Sequence, residues 1–154
     1  MKYKTLGAIK GVQNVPYCKA AADMKVGMGV VLDREAKTAS LPADATAAKG
    51  CFYIVSNIND KPEMHNFSET LVVKKDEFVR ADDLTSIANL EIELAKYEIK
   101  DGDYDGLVKG DKLVFGTSGL VEKAADVTGY KVYFEVIAKT AYMGAGIVAV
   151  INVQ

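Results

Sequence analysis

Gly27-Met28-Gly29-Val30-Val31-Leu32-Asp33 and, about eighty residues later, Gly110-Asp111-Lys112-Leu113-Val114-Phe115-Gly116 open two passages that run alike. In the first, the apolar triplet Val30-Val31-Leu32 leads into a polar turn at residues 33–37 and a loop rich in Ala, Asp and Thr at residues 43–49. Gly50 and the run Cys51-Phe52-Tyr53-Ile54-Val55 follow. In the second, Leu113-Val114-Phe115 leads through Gly116-Thr117-Ser118-Gly119 to Leu120-Val121. Ala124-Ala125-Asp126-Val127-Thr128 then precedes Gly129 and the run from Tyr130 to Ile137. Each passage reads as glycine turn, strand, hairpin, loop and long strand, the mark of an internal repeat. The shared positions hold no catalytic residue types; they build sheet. The expectation is a mainly β, single-domain β-barrel or β-sandwich with two related β units and at most one short helix.

Length and composition agree with that expectation. A chain of 154 residues is one domain by size and can bury roughly 70% of its unfolded surface. A net charge of −2 offers no basic face for a polyphosphate, so nucleic acid is not expected as a partner. Charge is nevertheless uneven. Residues 1–22 carry Lys2, Lys4, Lys10 and Lys19 and no acid, whereas residues 60–105 hold thirteen acids against six Lys or Arg. Two solvated surfaces account for this; a basic arm docking on an acidic neighbour is the sharper alternative. No apolar run approaches the ~20 residues of a membrane helix, and residues 1–6 lack the apolar core of a signal peptide. The chain is therefore expected to be made in a reducing cytoplasm. Cys18 and Cys51 are too few for a disulfide framework and lack metal-ligand spacing; Cys51 reads as a small core residue.

Along the chain, residues 1–20 read as an N-terminal arm broken at Gly7, Gly11 and Pro16, and residues 21–154 as the β domain. The arm is expected to order only on a partner, so that deleting residues 1–15 leaves the fold intact. Residues 57–68, including His65, read as loop. Leu71-Val72-Val73 and Phe78-Val79 flank Lys74-Lys75-Asp76-Glu77 as a hairpin or bulged pair would. Residues 81–88, with Asp82 and Asp83 placed to cap, predict a short helical turn, followed by a strand from Leu90 to about Ile99. The nearly unbroken apolar run from Ile147 to Val153 predicts a central strand covered on both faces.

Candidate chemistry is thin. His65 is the one histidine, with no nucleophile near it in sequence, and reads as surface. Asp101-Gly102-Asp103-Tyr104-Asp105-Gly106 matches the first half of a calcium loop, with carboxylates at positions one, three and five and glycine at six. The twelfth position, which needs a bidentate Glu, is Lys112, so a metal-free turn is expected. Gly27-Met28-Gly29 precedes a strand rather than a helix, and Lys109-Gly110-Asp111-Lys112 lacks the Ser or Thr of a phosphate loop. The expectation is no catalytic residue, no cofactor and no metal.

One resemblance runs through most of the chain. Lys25-Val26-Gly27, Val30-Val31-Leu32 and the Phe-Tyr-Ile-Val strand resemble the first half of capsid decoration proteins of tailed bacteriophages. The second half, with Gly110-Asp111-Lys112-Leu113, Gly119-Leu120-Val121, Tyr133-Phe134-Glu135-Val136-Ile137 and Gly146-Ile147-Val148-Ala149-Val150, is similar too. The resemblance is one of pattern and transfers no functional residue. It implies a small, β-rich, non-enzymatic virion protein, made in the host bacterial cytoplasm. Such a protein binds the outer face of the shell, with the major capsid protein as partner and a homo-oligomer possible. The alternatives are a β-barrel ligand- or carbohydrate-binding module, a tail-tube or baseplate component, and a small hydrolase or isomerase using Asp101, Asp103 and Asp105.

Overall fold

A computed structural model describes residues 12–58, 71–141 and 144–154. In chain order the elements are β1 (Gln13–Ala20), β2 (Met24–Lys25), β3 (Gly29–Asp33), β4 (Thr38–Ser40), α1 (Ala45–Lys49), β5 (Tyr53–Val55) and β6 (Val72–Val73). There follow β7 (Phe78–Asp83), β8 (Glu91–Ala95), β9 (Lys112–Phe115), β10 (Val121–Lys123), β11 (Val132–Thr140) and β12 (Gly146–Val153). The fold is mainly β, as the sequence implies. Strands β1-β4-β3-β5-β7 close into a barrel, and β10-β9-β11-β12-β8 form a second five-stranded sheet.

The repeat is a repeat of backbone. In the first unit the Gly27 N–H donates to the Val55 carbonyl (2.9 Å), and the Val55 N–H donates back to Met28 (2.9 Å). In the second, Gly110 N–H donates to Val136 (2.8 Å) and Val136 N–H to Asp111 (2.9 Å). Gly27 and Gly110 share φ values of 89° and 88°, in the left-handed region that glycine enters without steric penalty. From these turns β3 pairs with β4 and β5 just as β9 pairs with β10 and β11.

The correspondence extends past the three strands visible in sequence. Strand β7 joins β5 to β1, and β12 joins β11 to β8. A parallel pairing closes the first circuit, and an isolated parallel bridge from a residue beyond β8 reaches across the second. Ala20 pairs with Ala39 and the Ala21 N–H donates to Ala39 (2.8 Å); Ile99 bridges Val121 and the Lys100 N–H donates to Val121 (2.8 Å). The closed N-terminal barrel and the five-stranded C-terminal sheet, a barrel in strand order and in its isolated closing bridge, thus have five corresponding strands each.

Several expectations need correction. Residues 13–20 are not arm: they form β1, with Val15, Cys18 and Ala20 buried. A bulge between Val15 and Cys18 accommodates Pro16, which has no N–H for a ladder and interrupts the apolar alternation. Residues 1–11, 59–70 and 142–143 lie outside the described residues, and His65 with them. The loop expected at residues 43–49 contains α1, capped by Asp44, whose Oδ1 accepts from the Ala47 N–H at 2.8 Å. The turn at residues 74–77 is real, closed by Glu77 N–H to Lys74 O (3.0 Å). Its flanks do not pair with each other, however: β6 pairs with β2, and β7 with β1 and β5. The helical turn is a 3-10 turn at Leu84–Ile87, and Asp83, not Asp82, caps it through Thr85 N–H (2.8 Å). The strand expected from Leu90 to Ile99 ends at Ala95 and continues as a 3-10 turn, Lys96–Glu98. Strand β12 is central, but only Ile147, Ala149 and Ile151 are fully buried, while Val148 and Val150 on the other face are half-exposed.

Two cores result. One fills the N-terminal barrel with Val30, Val55, Val79 and Ala81 among others. The other fills the C-terminal barrel, where Phe115 and Phe134 meet edge-to-face with centroids 5.3 Å apart. Ile54, Leu84 and Ile87, from the N-terminal half, belong to this second core, so the units are joined by buried apolar surface.

Candidate functional site

The join between the barrels is the most specific geometry in the molecule. At the start of β3, Gly29 donates its N–H to the Gly119 carbonyl at 2.7 Å, so the β9–β10 turn rests on the wall of the N-terminal barrel. A Cβ at Gly29 would lie 2.5 Å from the Phe115 ring; only glycine lets backbone and ring approach this closely. Lys131 donates its N–H to Lys49 O (2.8 Å), and its ammonium lies 3.9 Å from the Phe52 ring centroid. Gly27 meets the buried Glu98 carboxylate, whose Oε2 accepts from Ala95 N–H at 2.8 Å. The seam holds two units in one relative position.

The acidic turn is built for tethering. Asp103 Oδ2 accepts from the Lys123 N–H (2.8 Å), and Asp105 faces the Lys96 ammonium (3.2 Å). The Lys139 ammonium donates to the Asp105 carbonyl (2.9 Å). Asp111 accepts from Val108 N–H (2.9 Å) and the Lys123 ammonium (2.7 Å), and the Lys123 bond holds its pKa below the usual carboxylate value. Each of these carboxylates is held by its own donor groups; among the described residues, no group of three or more His, Cys, Asp or Glu is placed to hold a metal. Lys112 points away to the Tyr133 ring, 5.5 Å from its centroid.

Cys18 and Cys51 are buried free thiols. Cys51 Sγ lies 3.3 Å from Val30 O, and burial pushes its pKa up to about 12. Burial raises Cys18 as well, with Arg34 acting against it. A thiolate nucleophile needs the opposite environment.

Two open clefts lie on the N-terminal barrel. The smaller, about 240 Å³, borders Arg34, whose Nη2 donates to the Tyr53 hydroxyl at 2.7 Å. The larger, about 450 Å³, runs over β1 and β4 between Tyr17, Lys19, Lys37, Asp76 and Phe78. Tyr17 is 42% and Phe78 60% exposed, and Lys19 Nζ lies 5.4 Å from the Phe78 ring centroid. The sequence reading missed this surface because it placed Tyr17 and Lys19 in the arm. The signal available was Tyr17 and Lys19 alternating with the buried Cys18 and Ala20. No described helix is long and apolar enough to cross a membrane. No family model, no curated protein and no solved structure matches this chain.

Proposed function

We propose that this chain is a non-enzymatic structural protein of a bacteriophage particle, which binds the outer surface of the capsid and braces contacts of the major capsid protein. The observation that carries the reading is the seam at Gly29, Ile54 and Phe115, which fuses two corresponding barrels into one body. A brace must hold its contact surfaces at fixed separation under load, and close-packed apolar interiors resist deformation. Two related walls on one chain supply such surfaces. The resemblance to capsid decoration proteins supports the same reading, in which many weak contacts outweigh any single residue.

The groove at Tyr17 and Phe78 favours one rival, a carbohydrate- or ligand-binding module, since exposed aromatic rings suit sugar faces. The test is binding of the purified full-length chain to phage shells that lack it, read by cosedimentation and electron microscopy, alongside a glycan array. Ordered density on the shell surface is the expected result. No association with shells, together with saturable glycan binding abolished by Phe78→Ala, overturns the reading in favour of the rival.

A further inference from the structure

Where β3 finishes and β5 begins, one end of the N-terminal barrel brings a cation and an unspent hydroxyl proton to the same cavity. The cavity, about 240 Å³, is bordered by Val31, Leu32, Arg34, Gly50, Phe52 and Tyr53. Arg34 Nη2 donates to the Tyr53 hydroxyl at 2.7 Å. Tyr53 is 6% exposed, and its hydroxyl accepts that bond while donating to nothing among the described residues. Arg34 stands exposed in the turn after β3 and makes no ion pair among the described residues.

The neighbouring acids are engaged elsewhere. Asp33 Oδ1 accepts from the N–H groups of Glu35 (2.9 Å) and Ala36 (2.8 Å). Asp83, opposite Tyr53 across β5 and β7, gives its Oδ1 to the Thr85 N–H (2.8 Å) and hydroxyl (2.6 Å). Glu35 is exposed in the same turn as Arg34. No carboxylate borders the cavity itself. The Lys131 ammonium, 3.9 Å from the Phe52 ring centroid, adds a second positive charge beside the wall.

The other half of the molecule lacks this pair. Counted from Gly27 and Gly110, Arg34 corresponds to Thr117. By register, Tyr53 opposite Val30 corresponds to Phe134 opposite Leu113. Phe134 is fully buried against Phe115. Filling a barrel therefore needs no hydroxyl at this position and no arginine to meet one.

We propose that this cavity binds a single carboxylate carried on a small apolar or aromatic stem. The guanidinium keeps further N–H donors in a planar fork that matches a carboxylate, and the Tyr53 hydroxyl proton supplies another. Val31, Leu32 and Phe52 offer the stem an apolar wall. The volume falls below the ~300–1,000 Å³ of drug-sized ligand sites, which restricts the occupant to a small molecule. Asp33, Glu35 and Asp83 around the rim repel a multiply charged anion, so a polyphosphate is the wrong class. This inference does not depend on the capsid reading.

Titration of the full-length chain with benzoate, followed by amide chemical shifts in two-dimensional NMR, tests it. Benzamide serves as the neutral isostere and inorganic phosphate as the anion without a stem. Benzoate is expected to shift the amides of residues 30–34 and 50–53 saturably, with both controls binding at least about tenfold more weakly. Arg34→Gln should weaken benzoate at least about tenfold and Tyr53→Phe about fivefold. Melting curves should change little, since Arg34 is exposed and phenylalanine already fills the position corresponding to Tyr53. If Tyr53→Phe does unfold the chain, Arg34→Gln alone decides. No saturable shift up to the solubility limit overturns the proposal, as do shifts centred away from these residues. Equal binding of benzamide or phosphate, or undiminished binding by Arg34→Gln, overturns it too.

Discussion

At one corresponding pair of positions the two barrels diverge completely. Gly29 faces Ile54 across β3 and β5, and Lys112 faces Glu135 across β9 and β11. The next pairs inward, Val30 with Tyr53 and Leu113 with Phe134, are apolar in both. Positions that fill a barrel are fixed by the need to exclude water. Positions on its outer wall are fixed by what lies against them. Beneath the seam the wall is glycine and isoleucine; facing solvent it is a lysine opposite a glutamate, a cross-strand pair suited to water. The backbone diverges too. In the C-terminal barrel the Ala124 N–H donates to the Lys112 carbonyl at 2.9 Å, extending the hairpin ladder. In the N-terminal barrel Pro42, two residues past β4, has no N–H to offer, and the β3 edge is taken by the Gly119 turn.

Exchanging residues between the barrels is the most direct way to break this comparison. Ile54→Glu places an unpaired carboxylate in a fully buried site, which costs about 3–5 kcal/mol by the measure of broken buried pairs. The reciprocal Glu135→Ile changes an exposed position and shifts stability by about 0.5 kcal/mol or less. Urea denaturation of both variants measures the difference. Equal effects would show that the seam does not bury Ile54 in solution.

Next in size is Gly29→Ala. The added methyl must displace the Phe115 ring or the β3 backbone, an overpacking penalty of about 1–3 kcal/mol. Because the cost arises from contact with Phe115, the double variant Gly29→Ala/Phe115→Leu should lose less than the sum of its single changes. Strict additivity in chemical denaturation would place the Phe115 ring elsewhere. A smaller effect is expected at α1, an element without a regular counterpart in the C-terminal barrel. Asp44→Ala removes the side-chain bond to the Ala47 N–H and should cost about 1 kcal/mol. The matching residue type in the other loop, Asp126, accepts from Thr128 N–H (2.9 Å) in an exposed turn, and Asp126→Ala should cost less.

How much of this could be read from the chain depends on the range of the interactions. The β9–β11 and β3–β5 strands were legible because apolar triplets follow a turn glycine, a pattern contained within a few residues. Strand β1 was hidden by its own bulge: Pro16 reads as a break, and Val15 and Cys18 are three apart rather than two. Helix α1 is five residues long, too short for a periodicity, and Asp44 alone marks it. The pairing of β6 with β2 was illegible because its partners are nearly fifty residues apart and two residues long. The seam was illegible for a related reason. Gly29 looks like any turn glycine until the Phe115 ring is known to lie over it.

The smallest expected effect concerns a carboxylate with no charged counterpart in the other barrel. Asp82 lies on β7 opposite Ile54 of β5 and Asn14 of β1, and its side chain is fully buried. Its corresponding strand, β12, offers only Val148, Val150 and Asn152 on that face. Burial raises the Asp82 pKa above the usual carboxylate value, while Ser56 and the Arg80 guanidinium, 3.4 Å away, pull it back. Folding therefore favours the protonated form. The folded state binds this proton more tightly than the unfolded chain does, so its penalty is absent below the unfolded carboxylate value of about 4 and grows as pH rises through the raised pKa. Asp82→Asn removes the ionisation and keeps the shape. The variant should be slightly more stable than the wild type at neutral pH, with the gain shrinking toward zero on acidification. Parallel thermal melts at neutral pH and near the unfolded carboxylate pKa would measure it. A variant less stable at neutral pH, with the gap closing in acid, would show that the ion pair with Arg80 outweighs desolvation, and that the N-terminal barrel keeps Asp82 for the charge.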